Sequence, residues 1–510
     1  MTKFSIAALL LPTASLIAAP TGANTCDSLS KLNLPNVTIN SSQSVAAGAF
    51  TPPAAPPGGF PVNMAQFKGL PEFCRVMATL APSSDSDIKI EVWLPASGWN
   101  NDFQAIGNGG WNGIMGYGPL AEGVKRGFAT AGTDTGHAGG SASFAIGHPE
   151  KLADFAYRAV HEMTVTSKAI IQNFYGSAPR YSYWNGCSTG GRQGLKEAQK
   201  FPADFDGIIA GAPANYQTHL HVWSIWVAQQ VNKSPDSSLP AAKLALLHQA
   251  VLAACDATDG VKDGLLDDPT KCHFDPKSIE CKGADSAACL TTAQVEAVQA
   301  IYAGPKNPRT GKEVFPTFEP GSELGWSILA GKQAASVASD SFSYVVYKNP
   351  AWDWKTMNLD SDVALLDKTE DGSIDAMDPN MKAFFAHKGK LLMYHGWSDQ
   401  LIAPLNSVNY YSSVVKNLGG EKKASDDVRL FMVPGMAHCG GGEGPNTFDQ
   451  VGAIQQWVEQ GKAPEQMIAS HSDKGTVDRT RPLCPYPQVA RYKGTGSTDD
   501  AANFSCALPQ

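Results

Sequence analysis

The chain has 510 residues, of which 43% are hydrophobic, 9% aromatic and 17% charged. This composition indicates a globular protein, because a disordered chain carries more charge and fewer aromatic residues. The formal net charge is -8 and no cluster of Lys or Arg is present. A nucleic-acid partner is therefore not expected, since binding phosphates needs a basic patch. The length exceeds that of one ordinary domain and predicts two structural units.

The N-terminus has the pattern of a signal peptide. Lys3 precedes an apolar run over residues 4–19, and the small residues that follow suit a cleavage site after Ala23. We predict a signal peptide over residues 1–24 and a secreted protein, which in a bacterium would be extracellular or periplasmic. No later stretch has about 18 uninterrupted apolar residues, so no membrane partner is expected. Sequons for N-glycosylation begin at Asn36, Asn40, Asn232 and Asn503.

Short apolar or alternating runs predict a series of strands that alternate with amphipathic helices. The strands are expected at 88–94, 103–106, 128–132, 180–185, 207–210, 391–394 and 428–433, and the helices at 152–175, 190–200 and 448–460. Such alternation is typical of a mostly parallel sheet with helices on both faces. It stops near Ala212 and resumes at Lys390. We therefore predict a catalytic unit over residues 25–211 and 389–510, interrupted by an inserted domain over 212–388 that is called the lid below.

A candidate nucleophile lies between the strand at 180–185 and the helix at 190–200. The segment 186–190 reads Gly-Cys-Ser-Thr-Gly and is the only match to G-x-S-x-G in the chain. In a strand-turn-helix context this motif forms the sharp elbow that exposes the serine of an α/β-hydrolase. An ordinary serine in a glycine-rich turn is the alternative. The flanking elements favour Ser188 as the nucleophile.

A candidate base follows the strand at 428–433. His438 lies there in a glycine-rich loop, where an α/β-hydrolase carries its catalytic histidine. Among the competing histidines, His161 lies within a predicted helix. His387 and His395 flank the strand at 391–394, where a structural role with satisfied hydrogen bonds is expected. His438 is therefore the predicted base.

The acid that orients the base should follow the strand before it. Asp399 does so after the strand at 391–394, and the chain order Ser, Asp, His is that of α/β-hydrolases. Asp362 and Asp449 remain alternatives on sequence alone, although neither follows the end of a strand.

An acyl-transfer serine also needs donors for the oxyanion. The first is expected to be the amide of Thr189, directly after the nucleophile, and the second should come from the loop after an early strand. The glycine cluster at 107–110 occupies that place. Gly110 is the predicted donor, with Gly109 close behind, and a simple glycine turn is the alternative.

An acidic loop lies inside the lid. Asp256, Asp259 and Asp263 crowd three carboxylates into eight residues with two Asp-Gly steps. Such crowding is unfavourable without a cation, and calcium takes six to eight oxygen ligands. We predict a calcium site in which the backbone carbonyls of Val261 and Leu265 join the three carboxylates, although the spacing is not that of an EF-hand. Solvated Asp-Gly turns are the alternative.

Taken together, these segments resemble the tannase and feruloyl esterase family. The resemblance includes a cysteine beside both the serine and the histidine, in Cys187-Ser188 and His438-Cys439, together with Asp399. Further similar segments are 154–158, 186–194, 206–211, the acidic loop and 457–464. It implies an α/β-hydrolase core with a large lid, a calcium loop in that lid and hydrolysis of esters of aromatic acids.

The resemblance also implies the disulfide framework. Ten cysteines in an exported chain predict five disulfides, and no pair has Cys-x-x-Cys spacing. The family pattern joins Cys187 to Cys439, which links the elbow to the base loop. Proximity and resemblance together predict the other pairs as Cys26–Cys74, Cys255–Cys272, Cys281–Cys289 and Cys484–Cys506.

The sequence thus favours a secreted serine carboxylesterase that acts on hydroxycinnamic esters such as feruloyl esters, free or linked to polysaccharide. A structural Ca²⁺ and no organic cofactor are expected. A tannase, which cleaves gallate esters, or another aryl esterase of the family is the close alternative. A serine peptidase on the same fold and an inactive, calcium-stabilised binding protein are more remote, since the triad alone does not separate esters from amides.

Overall fold

One large sheet organises the catalytic unit. The computed structural model describes residues 25–54 and 63–509, so the predicted signal peptide lies outside the described residues. The sheet has the strand order β1-β2-β3-β5-β4-β6-β7-β8-β9. Its strands are β1 Val37–Val45, β2 Phe73–Leu80, β3 Ile88–Pro95, β4 Asp102–Ile106, β5 Ala129–Thr133, β6 Tyr181–Cys187, β7 Gly207–Gly211, β8 Lys390–Gly396 and β9 Val428–Val433. The pairs from β5-β4 to β8-β9 are parallel and those from β1 to β5 antiparallel, which confirms the predicted α/β architecture.

Helices cover both faces of the sheet. The helices of the described residues are α1 Tyr117–Lys125, α2 Pro149–Ala153, α3 Ala159–Tyr175, α4 Thr189–Lys200, α5 Gln217–Val231, α6 Ala241–Cys255, α7 Thr292–Ala303, α8 Ser336–Asp340, α9 Ser361–Glu370, α10 Lys382–Ala386, α11 Leu405–Leu418, α12 Glu421–Ala424 and α13 Gln450–Gln460. On α13, Val451, Ile454 and Trp457 fall on one side at helical spacing and pack with Phe431 of β9. Each such buried side chain contributes about 1.5–3 kcal/mol. This packing, with α1 and α13 on one face and α3, α4 and α11 on the other, holds the strand ends in place.

The lid has a core of its own. Residues 212–389, all of them described, contribute no strand to the sheet. Helices α5, α6, α7 and α9 bury Trp223 and Trp326 fully, and Trp226 and Trp354 nearly so. These tryptophans are core residues of the lid. Near the end of this segment, Met381 packs into a core cluster of the large sheet.

Several elements were not predicted from the sequence. β1 is polar and half exposed, and it pairs with β2 at the edge of the sheet. Two hairpins follow the last helix, β10 Met467–Asp473 with β11 Thr476–Leu483, and β12 Val489–Tyr492 with β13 Phe504–Ala507. The helix expected over 152–175 starts earlier, at Pro149, and contains a π turn over Asp154–Arg158. These features have no apolar periodicity that would reveal them in the sequence, because each packs on one side only and over a short stretch.

All ten cysteines pair as predicted, and no free cysteine remains among the described residues. The bonds are Cys26–Cys74, Cys187–Cys439, Cys255–Cys272, Cys281–Cys289 and Cys484–Cys506. Their Cα–Cα distances run from 4.9 to 6.0 Å, the usual range for disulfides. No helix of the described residues is long and apolar enough to cross a bilayer.

Candidate active site

Ser188 occupies a strained turn between β6 and α4. Its φ of 64° and ψ of -125° are rare for a residue with a side chain and mark stored strain. A Cβ on Gly186 would lie 2.4 Å from the carbonyl oxygen of Gly190, so both flanking positions of the motif must stay small. The Ser188 amide donates to the carbonyl of Gly211 at 2.9 Å, and its own carbonyl accepts from the Ala214 amide at 3.0 Å. The end of β7 therefore holds the elbow in place.

His438 and Asp399 form a hydrogen-bonded pair at the ends of β9 and β8. His438 Nδ1 lies 2.7 Å from Asp399 Oδ2. Burial acts to raise the pKa of Asp399, but the charge of His438 and hydrogen bonds from His395 and His438 hold it well below its usual range. Because an ionised carboxylate only accepts, Nδ1 carries the proton and Nε2 keeps a free lone pair. This is the tautomer that a general base for Ser188 needs.

A disulfide joins the base loop to the elbow. Cys187 and Cys439, the neighbours of Ser188 and His438, have Cα atoms 6.0 Å apart. The His438 amide also donates to Gln400 Oε1 at 3.0 Å, a contact that the sequence analysis did not identify. The disulfide brings the loop that carries the base next to the turn that carries the serine.

The two predicted oxyanion donors lie side by side. Thr189 is the first residue of α4, so its amide has no acceptor within the helix, and its Oγ1 donates to the carbonyl of Gly110 at 3.0 Å. A reciprocal pair fixes the glycine loop, since the Asn108 amide donates to Gln193 Oε1 at 3.0 Å and Gln193 Nε2 to Asn108 Oδ1 at 3.1 Å. Gly109 is engaged through its carbonyl, which accepts from the Asn112 amide at 2.9 Å. Gln193 was not identified from the sequence.

The alternative carboxylates have partners elsewhere. Asp362 accepts from the hydroxyl of Tyr347 at 2.7 Å within the lid. Asp449 caps α13 and pairs with Arg126 at 2.8 Å. Of the three candidates, Asp399 is the one that the structure brings to His438.

The lid contacts both sides of this site. On the acid side, Ser398 Oγ donates to the carbonyl of Gly321 at 3.1 Å. On the oxyanion side, Trp111 Nε1 donates to the carbonyl of Val337 at 2.9 Å, and a Cβ on Gly110 would lie 3.4 Å from the Val337 side chain. A substrate at Ser188 would therefore meet lid residues as well as the sheet.

The acidic loop of the lid gathers more negative charge than the sequence indicated. Burial raises the pKa of Asp259, and the charges of Asp263 and Asp256 raise it further. Asp267, which the sequence analysis did not include, is buried, and burial followed by the charge of Asp259 raises its pKa to about 7. The cation within the cluster is Arg481, which pairs with Asp263.

The loop offers oxygens to a hard cation. The carboxylates of Asp256, Asp259 and Asp263 accept from loop amides at 3.0 to 3.2 Å, as Asp-Gly turns do. The carbonyls of Val261 and Leu265 accept no hydrogen bond from any described residue. The three carboxylates are not all within 4.8 Å of one another, whereas calcium, with ligands at about 2.3–2.6 Å, spans oxygens up to about 5 Å apart. The residue types are those that calcium binds, but the three carboxylates do not converge on a single point in this structure.

A second group of potential ligands lies beside α3 and α4. Ligand atoms of His161, Glu197 and Asp204 lie within 4.8 Å of one another, the one such trio among the described residues. Burial, and then the charge of Asp204, raise the pKa of Glu197 well above its usual range. His161 Nδ1 is 2.7 Å from Asp204 Oδ2, and Lys168 Nζ donates to the Asp204 carbonyl. Asp204 therefore has a histidine partner on its carboxylate and a lysine partner on its carbonyl.

Known proteins are similar to this chain in sequence and in fold. A family model described as tannase and feruloyl esterase matches residues 74–507. An uncharacterized esterase of Xanthomonas campestris is 39% identical, covering 98% of this chain and 92% of its own. A probable feruloyl esterase B-2 of Neosartorya fischeri is 36% identical over 99% of this chain and 100% of its own.

Solved structures agree with this assignment. The crystal structure of feruloyl esterase B from Aspergillus oryzae is similar with a TM-score of 0.88 and 32% identity, covering 94% of this chain and 99% of that chain. The family model spans most of the sequence, and the relatives match along nearly their whole length. The chain belongs to the tannase and feruloyl esterase family of carboxylic ester hydrolases.

Proposed function

We propose that this chain is a secreted esterase that cleaves hydroxycinnamic esters, such as feruloyl esters, through Ser188, His438 and Asp399. The observation that carries the proposal is the 2.7 Å bond between His438 Nδ1 and Asp399, in a loop that a disulfide ties to the serine elbow. This arrangement supplies a nucleophile, a base in the correct tautomer and a carboxylate that orients the base.

The proposed mechanism uses two acyl-transfer steps. Ser188 Oγ attacks the ester carbonyl while His438 Nε2 takes its proton, and the amides of Thr189 and Gly110 stabilise the oxyanion. The tetrahedral intermediate collapses, the C–O bond breaks, and His438 returns the proton to the departing alcohol. Water, activated by His438, then hydrolyses the acyl-enzyme and releases the acid. Asp399 stays ionised throughout and stabilises the imidazolium.

Two observations support an aromatic acyl group. The similar proteins of Neosartorya fischeri and Aspergillus oryzae are named as a probable feruloyl esterase and a feruloyl esterase. In addition, the oxyanion glycine adjoins an apolar cluster formed by Trp111, Phe155, Val345 and Ile374, with Tyr344 packed against it. An aromatic acid bound beside Gly110 would lie near apolar and aromatic side chains, as is usual for small-molecule sites.

A hydrolysis panel tests the substrate class. We expect kcat/KM for methyl ferulate and methyl caffeate to exceed that for methyl gallate by about 10-fold or more, the discrimination that a fitted pocket gives, and no cleavage of a peptide amide. A preference for methyl gallate would make the protein a tannase, and cleavage of the amide would make it a peptidase. Binding of these esters without turnover would support the inactive binding protein.

We propose further that the acidic loop binds a structural calcium ion. Asp256, Asp259 and Asp263 would hold it together with the carbonyls of Val261 and Leu265. The ion would offset the repulsion between the clustered carboxylates and hold the two Asp-Gly turns of the loop together. Ester hydrolysis by the triad has no step that requires it.

Chelation tests the calcium proposal. We expect a chelator to lower the melting temperature, because a ligand at 100-fold excess over its Kd contributes about 2.7 kcal/mol, while kcat below the transition stays the same. Asp259→Ala should melt at a low temperature with or without chelator. The matched control is Asp275→Ala, an exposed capping residue elsewhere in the lid, which should respond to chelator as the parent does. A parent that ignores the chelator, or loses its rate while folded, would contradict the proposal.

Secretion and glycosylation complete the proposal. Asn36 and Asn40 are exposed. Asn232 is also exposed, but its amide donates to the carbonyls of Ala228 and Gly331 at 2.8 Å, and Asn503 is half-buried with its amide donating to the carbonyl of Ser497 at 2.9 Å. In a eukaryotic secretory pathway we expect the sequons at Asn36 and Asn40 to carry glycans most readily.

A further inference from the structure

Asp399 is bonded to two histidines, and the second one has no role in the triad proposed above. His395 is the sixth residue of β8, and its side chain is fully buried. Its Nε2 lies 3.0 Å from Asp399 Oδ2, the same oxygen that accepts from His438 at 2.7 Å. The sequence indicated a structural histidine at this position, but nothing in it identified Asp399 as the acceptor.

The neighbours of His395 fix its tautomer. Nε2 lies 3.0 Å from Asp399 Oδ2 and 3.1 Å from the carbonyl of Ile402. Both are acceptors, so Nε2 carries a hydrogen that the two oxygens share. Nδ1 lies 2.7 Å from Ser407 Oγ, and in the neutral ring it accepts from that hydroxyl. Ser407 on α11 thus holds the ring so that its N–H faces Asp399.

Four donors then surround the carboxylate of Asp399. The amides of Leu401 and Ile402 donate to Oδ1 at 2.8 and 2.9 Å, and the two histidines donate to Oδ2. A buried carboxylate needs such donors, since an unsatisfied buried charge is costly. Without His395, Oδ2 would keep one donor, and the orientation of its lone pairs toward His438 would be less constrained.

We propose that His395 is a positioning residue for ester hydrolysis, which sets Asp399 Oδ2 toward His438 by donating its Nε2–H to the same oxygen. The inference rests on the proposed triad. His395 does not contact the reacting atoms; it acts through Asp399. Its contribution should therefore affect proton transfer in the chemical step and not the binding of the ester.

The test separates positioning from mere packing. His395→Leu fills the same space with an apolar side chain that has no hydrogen-bond donor. For this variant we expect kcat per titrated active site to fall about 10²-fold, the cost of a small misplacement of a catalytic group. KM should change by less than about threefold, because ground-state binding is untouched. His395→Gln, whose amide N–H can occupy the place of Nε2–H, should recover at least about tenfold of the lost kcat. Active sites are counted from the first-turnover burst of alcohol.

Controls keep the inference falsifiable. His161→Leu removes another histidine bonded to a carboxylate, far along the chain from Asp399, and should leave kcat within about twofold. If His395→Leu does not fold, Ser407→Ala provides a second test. It removes the hydrogen bond that orients the His395 ring and should lower kcat about tenfold. Parental kcat per active site in His395→Leu, or in Ser407→Ala, would overturn the positioning role.

The same experiments distinguish this inference from the triad itself. If Ser188→Ala stays active, the proposed function is wrong whatever His395 does. If Ser188→Ala is inactive while His395→Leu and His395→Gln both turn over at the parental rate, the triad stands and the positioning role alone is overturned. An equal loss of kcat in His395→Leu and His395→Gln would also overturn the positioning role, because it would show that the N–H donor to Asp399 does not determine the rate.

Discussion

Ser188→Ala is expected to lower kcat on methyl ferulate on the order of 10⁶-fold, since removing the nucleophile of a triad typically costs that much. The fold should persist, because the bonds that hold the elbow come from the backbone of Ser188 and not from its hydroxyl. Initial rates over a wide range of enzyme concentration, with thermal melting alongside, measure both effects. His438→Ala should be similarly severe.

Two comparisons make this result specific. Ser182→Ala, at a buried position of β6, the strand that leads to Ser188, should leave kcat within about twofold. The double variant Ser188→Ala/His438→Ala should lose no more than either single variant, because residues that act as one unit are strongly non-additive. If Ser188→Ala keeps more than about 1% of the parental activity, Ser188 is not the nucleophile, because loss of a triad nucleophile costs far more than that.

The elbow could be predicted because its determinants are local. The strand, the two glycines and the helix around Ser188 are continuous in sequence. A Cβ on Gly186 would collide with the backbone of Gly190, and a Cβ on Gly190 would lie 3.0 Å from the Cα of Gly107, which favours glycine at both positions. Asp399 and His438 could be predicted because each follows a strand of the sheet, and parallel strands place the loops at their C-terminal ends along one edge. Buried strands such as β7 and β8 were visible as short apolar runs.

Contacts across the lid could not be predicted in this way. Trp111 meets Val337 over a separation of 226 residues, and Gly321 meets Ser398 over 77. No local pattern marks either pair, because only the path of the lid over the sheet brings them together. The edge strand β1 was missed for a related reason, since its stability depends on pairing with β2 and not on an apolar face of its own.

The polar residues that support the site could not be predicted from the sequence either. Gln193 lies on α4 and Gln400 directly follows Asp399, yet either amide is more often a solvated surface residue. Asp267 was left out of the acidic loop because it lies beyond the two Asp-Gly steps. In each case the residue type is common, and the buried hydrogen bond or charge that gives it a role appears only once the chain is folded.

Asp399→Asn is expected to lower kcat about 10⁴-fold, the loss seen when a triad carboxylate becomes an amide. The amides of Leu401 and Ile402 need an acceptor at Oδ1, so the oxygen of an asparagine would face them and its NH₂ group would face His438. Nδ1 of His438 would then have to accept, which moves its proton to Nε2. In that tautomer the imidazole has no lone pair for the proton of Ser188.

The alternatives to Asp399 supply matched controls for this prediction. Asp362→Asn and Asp449→Asn make the same chemical change at carboxylates that serve Tyr347 and Arg126, so each should leave kcat within about twofold. Rates per titrated active site and melting temperatures are compared for the three variants. A nearly silent Asp399→Asn would mean that another carboxylate orients His438, and a large loss in Asp362→Asn or Asp449→Asn alone would identify which one. The expected pattern is a loss confined to Asp399→Asn with KM little changed, because the carboxylate stabilises the imidazolium of the transition state and does not touch the ester.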